Sequence, residues 1–306
     1  MSHIKDFIAE LRIGAPQASG PLLMFPLLKD RPDQPDYLTL DEALANGTAR
    51  VEEVGEAGSV PELLFRNDGE KPVLLLDGEE LVGAKQNRVL NLSILAPAHA
   101  ETKIPVSCVE AHRWGYRSRH FGSSDRAFYA SGRAAKMAQV SASLATGRSR
   151  RSDQHAIWED IAATSSRLRV QSDTGAMADI YEQRRAGVDG HVQRLAAQAG
   201  QVGALFAIGD RIVGLDLFDS SATYAKLAPK LVRSYALDAV DLEESTQDRR
   251  AAIADVEAFL QRLEAADAES FPAVGLGEDL RAKGDRIGAA ALVHNGAAVH
   301  LCAFVA

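Results

Sequence analysis

Between Asn87 and Leu95 polar and apolar residues alternate with a period of two, the pattern of a strand that is buried on one side. Leu90, Leu92 and Ile94 point one way, and Asn87, Val89, Asn91 and Ser93 point the other. One face belongs to a core. The other is polar, with Lys85 near its start. The run is the centre of a longer stretch from Leu76 to Trp114, in which apolar strand-like segments enclose an acidic turn and a block of amides and guanidinium. Ile104, Val106, Cys108 and Glu110 share a face if their run is a regular strand, which places Glu110 at the end of a buried row.

The surrounding chain reads as short strands interrupted by helices. Leu22 to Leu28 is apolar but cut by Pro26, so an edge strand or extended segment is expected. Thr39 caps a short helix over Leu40–Asn46, with Asp41 and Glu42 in its first turn. Asp68-Gly69 and Asp77-Gly78 are turn signals within a meander of antiparallel strands. Residues 127–145, closed by Arg148, Arg150 and Arg151, and residues 153–168 and 175–198 read as helices. A hairpin follows at 202–218. Ser220 or Ser221 caps a helix that Pro229 should kink or restart, and another helix covers about 247–265. A last hairpin, 287–305, turns at Asn295-Gly296.

This order predicts an α+β fold with a largely antiparallel β-sheet or sandwich core and inserted α-helices packed on it. We expect a single domain over 1–306, with a strand-rich part at about 50–114, helical insertions at about 127–198 and 220–265, and late hairpins at 202–218 and 287–305 that complete the sheet. With 306 residues, 46% of them apolar and 25% charged, a substantial core is within reach. A net charge of −8 disfavours nucleic acid as the main partner. No apolar run approaches the roughly 20 residues of a membrane span, and Met1 to Asp6 does not read as a secretory signal, so a cytoplasmic location is expected. Cys108 and Cys302 read as buried free thiols in a reducing compartment.

Several groups bear chemistry. Asp77, Glu79 and Glu80 form an acidic turn that could hold a metal or supply a general acid, or simply a solvated turn. Glu79 and Glu80 face opposite sides in a strand, so Glu110 is the better partner for Glu79 in acid–base work. Lys85, Gln86, Asn87 and Arg88, extended by Asn91 and Ser93, suit an anion or sugar phosphate, or an internal hydrogen-bond network. Arg113-Trp114, with Tyr116, Arg117 and His120, can stack on a ring and pair with its charge, or serve as an aromatic anchor. Asp216 reads equally as a polar-face residue or a salt-bridge member. Cys108 lacks the sharp exposed turn of a nucleophile. Gly275-Leu276-Gly277 lacks the third glycine of a dinucleotide fingerprint. The histidines and cysteines lack the spacing of a closed zinc site, while a carboxylate site for a hard cation stays open. The sequence leaves the cofactor unknown.

Asp77-Gly78-Glu79, the block from Gly83 to Arg88, Asn91, Ser93, the run from Ile104 to Glu110 and Arg113-Trp114 together resemble a bacterial family, the ARG and rhodanese-phosphatase-superfamily-associated protein domain. His112 stands where the family pattern has a glycine before the Arg-Trp pair. The family takes its name from association with ADP-ribosyl-glycohydrolases and rhodanese-phosphatase proteins. The resemblance therefore implies a role in recognising or processing ADP-ribose or another nucleotide derivative.

Three functions follow. The leading one is binding of a small polar or nucleotide-like ligand, with Lys85, Arg88 and Arg113 neutralising phosphate, the amides bonding sugar or base, and Trp114 stacking. In the second, Glu79 or Glu110 acts as acid or base in hydrolysis of a glycosidic or phosphoester bond. In the third, the polar block is internal glue and the protein works through a surface or as a homo-oligomer paired at strand edges.

Overall fold

The computed structural model of the chain describes residues 3–30, 34–55, 59–147, 149–240 and 250–306. Helix α1 (His3–Ile8) precedes strands β1 (Arg12–Ile13), β2 (Gln17–Ser19), β3 (Leu22–Leu28) and β4 (Leu38–Thr39). Helix α2 (Leu40–Ala45) leads into β5 (Ala49–Glu53), β6 (Glu62–Asn67), β7 (Val73–Leu75), β8 (Glu79–Gly83), β9 (Arg88–Leu90), β10 (Ile94–Ala96), β11 (Ala100–Cys108) and β12 (Phe121–Ala127). Four helices follow: α3 (Ala130–Ala145), α4 (Gln154–Arg167), α5 (Met177–Gln183) and α6 (Arg185–Arg194). Then come β13 (Gln201–Ile208), β14 (Arg211–Phe218), α7 (Ser221–Ala239), α8 (Ile253–Glu264), β15 (Asp267–Pro272), β16 (Glu278–Gly284), β17 (Ile287–His294) and β18 (Ala297–Val305). Pro32, Arg148 and residues 247–249 of the helix expected over about 247–265 lie outside the described residues.

The fold is α+β. Six antiparallel strands close a barrel in the order β11-β6-β5-β12-β8-β9. A second, antiparallel sheet runs β1-β3-β13-β14-β18-β17-β16-β15, with β2 also on β3. Strands β10, β7 and β4 make a small third sheet, in which β4 and β7 are parallel. The late hairpins do join an early strand, but it is β3; the strands of 50–114 build the barrel and the small sheet instead.

Helices cover both faces of the large sheet, which explains its continuous apolar strands. Along β13, Val202, Leu205 and Ala207 enter the core shared with Ile4 of α1 and Phe259 of α8, whereas Ala204, Phe206 and Ile208 enter the core under Tyr224 and Leu231 of α7. A strand buried on both sides shows no polar alternation. The barrel has its own core, with Val51, Phe65, Leu81, Leu90, Ile104 and Val106 pointing inward.

Three sequence expectations give way here. Leu22–Leu28 is an inner strand between β13 and the short β1 and β2. Pro26 is tolerated because β2 pairs with residues 22–24 and β1 with 27–28, so the proline falls in the gap where no ladder donor is needed. Helix α7 runs through Pro229, so of the expected kink or restart it is the restart that gives way. Ala225 and Pro229 both lie on its exposed side, where water can serve the freed carbonyl, while Tyr224, Leu227, Leu231 and Tyr235 bury the opposite side. The expected helix over 175–198 is two helices, α5 and α6, meeting at Arg184. Among the described residues, no helix is long and apolar enough to cross a membrane.

Candidate functional site

The acidic turn after β7 is the hub of one buried network. Gly78 sits at φ +77°, and a Cβ there would lie 2.9 Å from Arg133 Cγ, so glycine lets the α3 side chain pass against the turn. Arg133 Nε donates to Asp77 at 3.2 Å, and its two terminal nitrogens donate to the two oxygens of Asp216 at 3.0 and 2.6 Å. Lys136, one turn further along α3, donates to Asp77 and to the Asn91 carbonyl. Tyr235 of α7 and His300 of β18 also bond Asp216, at 2.8 and 3.0 Å. Ser93 accepts from the Asp77 amide and bonds the other nitrogen of His300 at 2.7 Å. Burial alone would raise the Asp216 carboxyl, but Arg133 and His300 hold it down at about 2. Asp77, Ser93, Asp279, Arg281, His300 and Cys302 border a small cavity of about 10 Å³, room for about one water centre.

Glu79 and Glu80 turn to opposite sides of β8, as expected for neighbours in a strand. Glu79 accepts from Lys230 of α7 at 2.5 Å, from Ser123 at 3.2 Å and from the Leu76 amide at 3.2 Å. Lys230 also pairs with Asp41 at 2.7 Å. Glu80 accepts from Arg126 at 2.8 Å and Ser124 at 2.9 Å.

The block Gly83 to Arg88 turns at the end of β8 and re-enters the barrel as β9. Gly83, at φ +135°, packs so closely that a Cβ would be 2.8 Å from the His120 carbonyl, which pins this turn to the loop over 113–120. Glu110 is fully buried beside it. Its carboxylate accepts from Arg113 at 2.6 Å, from the Asn87 amide at 3.1 Å and from Thr174 at 3.0 Å. Burial would raise this carboxyl, but Arg113 and the Asn87 amide hold it below its usual range. Gln86 donates to the Glu110 carbonyl at 2.9 Å, and the Asn87 side chain accepts from Arg113 at 3.1 Å. Lys85 Nζ lies 5.2 Å from the ring centres of both Trp114 and Tyr116. These rings are 55% and 58% exposed, the most exposed large apolar side chains among the described residues.

Arg88 behaves differently. It faces Cys108 across β9 and β11 and is fully buried. One terminal nitrogen donates to Gln86 at 3.0 Å. The other terminal nitrogen and Nε meet no acceptor among the described residues. Burial pushes this guanidinium below its ordinary value, although the Cys108 thiol and the Glu53 carboxylate act to hold the charge. Both oxygens of Glu53 are themselves buried and meet no donor among the described residues. Glu53 lines an open cleft of about 620 Å³ with Glu52, Gly55, Tyr116, Arg117, Ser118 and Arg119.

The structure thus gathers Lys85, Gln86, Asn87, Arg88, Glu110, Arg113 and Trp114 at one end of the barrel. It places Asn91 and Ser93 in the Asp77 network, where the Asn91 side chain bonds the Arg150 carbonyl and Ser107. Glu79 and Glu110 have separate sets of partners. Sequence reasoning missed Glu53, Arg133, Lys136, Lys230 and His300. The signal for Arg133 was present, since 133, 137, 140 and 144 form one buried stripe of α3. Among the described residues, no group of three or more His, Cys, Asp or Glu side chains is placed to hold a metal ion.

No curated protein sequence and no solved structure matches the chain. One family model does, over residues 10–304, that of the ARG and Rhodanese-Phosphatase-superfamily-associated Protein domain. Its match spans nearly the whole chain, which therefore belongs to that family.

Proposed function

We propose that the open end of the barrel binds a small anionic ligand that carries a planar ring, a nucleotide derivative of the ADP-ribose kind. The observation that carries this reading is Arg88, a buried guanidinium with two donor nitrogens unmatched among the described residues. Leaving a buried polar donor unmet costs about 1–3 kcal/mol, and more when it is charged. Phosphate oxygens accepting from Nε and the free terminal nitrogen, side by side, would remove that cost. The neighbouring cleft adds Arg117 and Arg119 for further negative charge and Tyr116 for a ring. Its volume of about 620 Å³ suits a small-molecule site.

Binding is favoured over hydrolysis. Glu79 is taken up by Lys230, Ser123 and the Leu76 amide, and Glu110 by Arg113, the Asn87 amide and Thr174, so both carboxylates are engaged within the protein. The Asp77 network, in which each charge has its partner, we read as structural.

Thermal unfolding in graded concentrations of ADP-ribose, NAD, AMP and inorganic phosphate tests the proposal. A true ligand stabilises by about 2.7 kcal/mol at a hundred times its dissociation constant. The shift should vanish in folded Arg88→Met. No shift with any of these compounds overturns the reading.

A further inference from the structure

We propose that Glu53 and Arg88 are two ends of one clamp, and that it takes a ribosyl phosphate: phosphate oxygens on Arg88 and the vicinal hydroxyls of the sugar on Glu53. The inference rests on the binding reading above and deepens it.

Both side chains point into the barrel. Along β5, Ala49 and Val51 belong to the barrel core, and Glu53 follows them on the same face with period two. Along β9, Leu90 belongs to that core, and Arg88 shares its face. The Glu53 charge acts on Arg88, yet the two make no ion pair. A carboxylate and a guanidinium that had only each other would close into two parallel hydrogen bonds. Instead the two Glu53 oxygens and two Arg88 nitrogens are all buried with no hydrogen-bond partner among the described residues. What fits between them must accept at one end and donate at the other.

A simple anion fails this test, because its charge would face the Glu53 carboxylate. A sugar with adjacent hydroxyls meets it, since two O–H donors match the two oxygens of one carboxylate. The order of groups agrees. Arg88 is fully buried, Glu53 is half-buried in the cleft wall, and Tyr116 in the same cleft is 58% exposed. From inside to outside that is a cation, a hydroxyl acceptor and a stacking ring. A nucleoside 5′-monophosphate runs phosphate, ribose and base in the same order. Besides Glu53 and Cys108, the groups that act on the Arg88 charge are Glu110 and Arg113, and these two are paired with each other.

Isothermal titration of the full chain with AMP, with 2′,3′-dideoxy-AMP and with inorganic phosphate tests the clamp, on the native protein and on Glu53→Gln. Native protein should bind AMP at least tenfold more tightly than the dideoxy compound. Glu53→Gln should bind the two nucleotides alike. Equal affinity of the native protein for both overturns the clamp while leaving an anion site at Arg88. No binding of any of the three overturns the anion site and the clamp together. The native comparison needs no substitution, so it decides the matter even if Glu53→Gln does not fold.

Discussion

Arg133 and Arg88 are both fully buried guanidinium groups, and their surroundings are opposite. Arg133 gives each of its three nitrogens to a carboxylate, two to Asp216 and one to Asp77. Burial works against its charge, but Asp216 more than compensates, and its pKa lies well above the ordinary value. Arg88 gives one nitrogen to an amide and its pKa is pushed down. Burial of charge therefore does not by itself mark a functional site. Complete pairing reads as architecture, and it is the incomplete pairing of Arg88 on which the binding proposal rests.

The largest effect expected is on stability. Arg133→Ala leaves Asp216 buried without its main cation and Asp77 with Lys136 alone, and should cost about 3–5 kcal/mol in urea unfolding. Arg88→Met removes a charge that lacks a full set of partners and should stay within about 1 kcal/mol of the native protein. Equal losses would erase the contrast.

A smaller effect separates the two regions by pH. The Asp216 pKa is about 2 in the folded chain against about 3.9 unfolded. A depressed acid stabilises above its unfolded value and loses that contribution as pH falls through its folded value. Native protein should thus lose about 2 kcal/mol between about pH 4 and pH 2 that Asp216→Asn does not lose over the same window. Urea midpoints across this range would measure it, and parallel curves would remove Asp216 from the account. The smallest effect is at the cleft. Tyr116→Ala should leave stability unchanged and weaken AMP binding about threefold to tenfold, the size of one ring contact. An unchanged affinity would place the base elsewhere.

Local chemistry was legible in the sequence. Thr39 forms the expected cap, reinforced by Glu42, and Asp153 and Ser220 cap α4 and α7. The alternation from Asn87 also held at the level of faces, since Leu90, Leu92 and Ile94 all enter the barrel core. It did not reveal that the strand stops at Leu90 and that Ile94 belongs to another sheet, because a break of three residues leaves the periodicity intact. Strands β15 and β16 escaped notice because β15 is an exposed edge with Asp267, Glu269 and Pro272, which no apolar pattern announces. The partners of Arg133 were hidden for another reason. Asp216 lies 83 residues away, and nothing local in an alanine-rich helix identifies it. Glu53 reads in the sequence as an ordinary polar strand end; only the closed barrel turns it inward.

Strand β18 lies between β14 and β17, so residues 211–218 have no neighbour on that side until residues 297–305 exist. Synthesis delivers the chain in the opposite sense to the sheet's needs. While the intervening stretch emerges, β14 presents an open ladder of amides and carbonyls, and Asp216 waits for His300. Ser93 and His300, which join across 207 residues, can meet only afterwards. Such distant closures make folding slow, and the nascent chain spends that interval with an adhesive edge. The same strand order that buries β14 in the finished protein leaves it an exposed, aggregation-prone edge in the unfinished one.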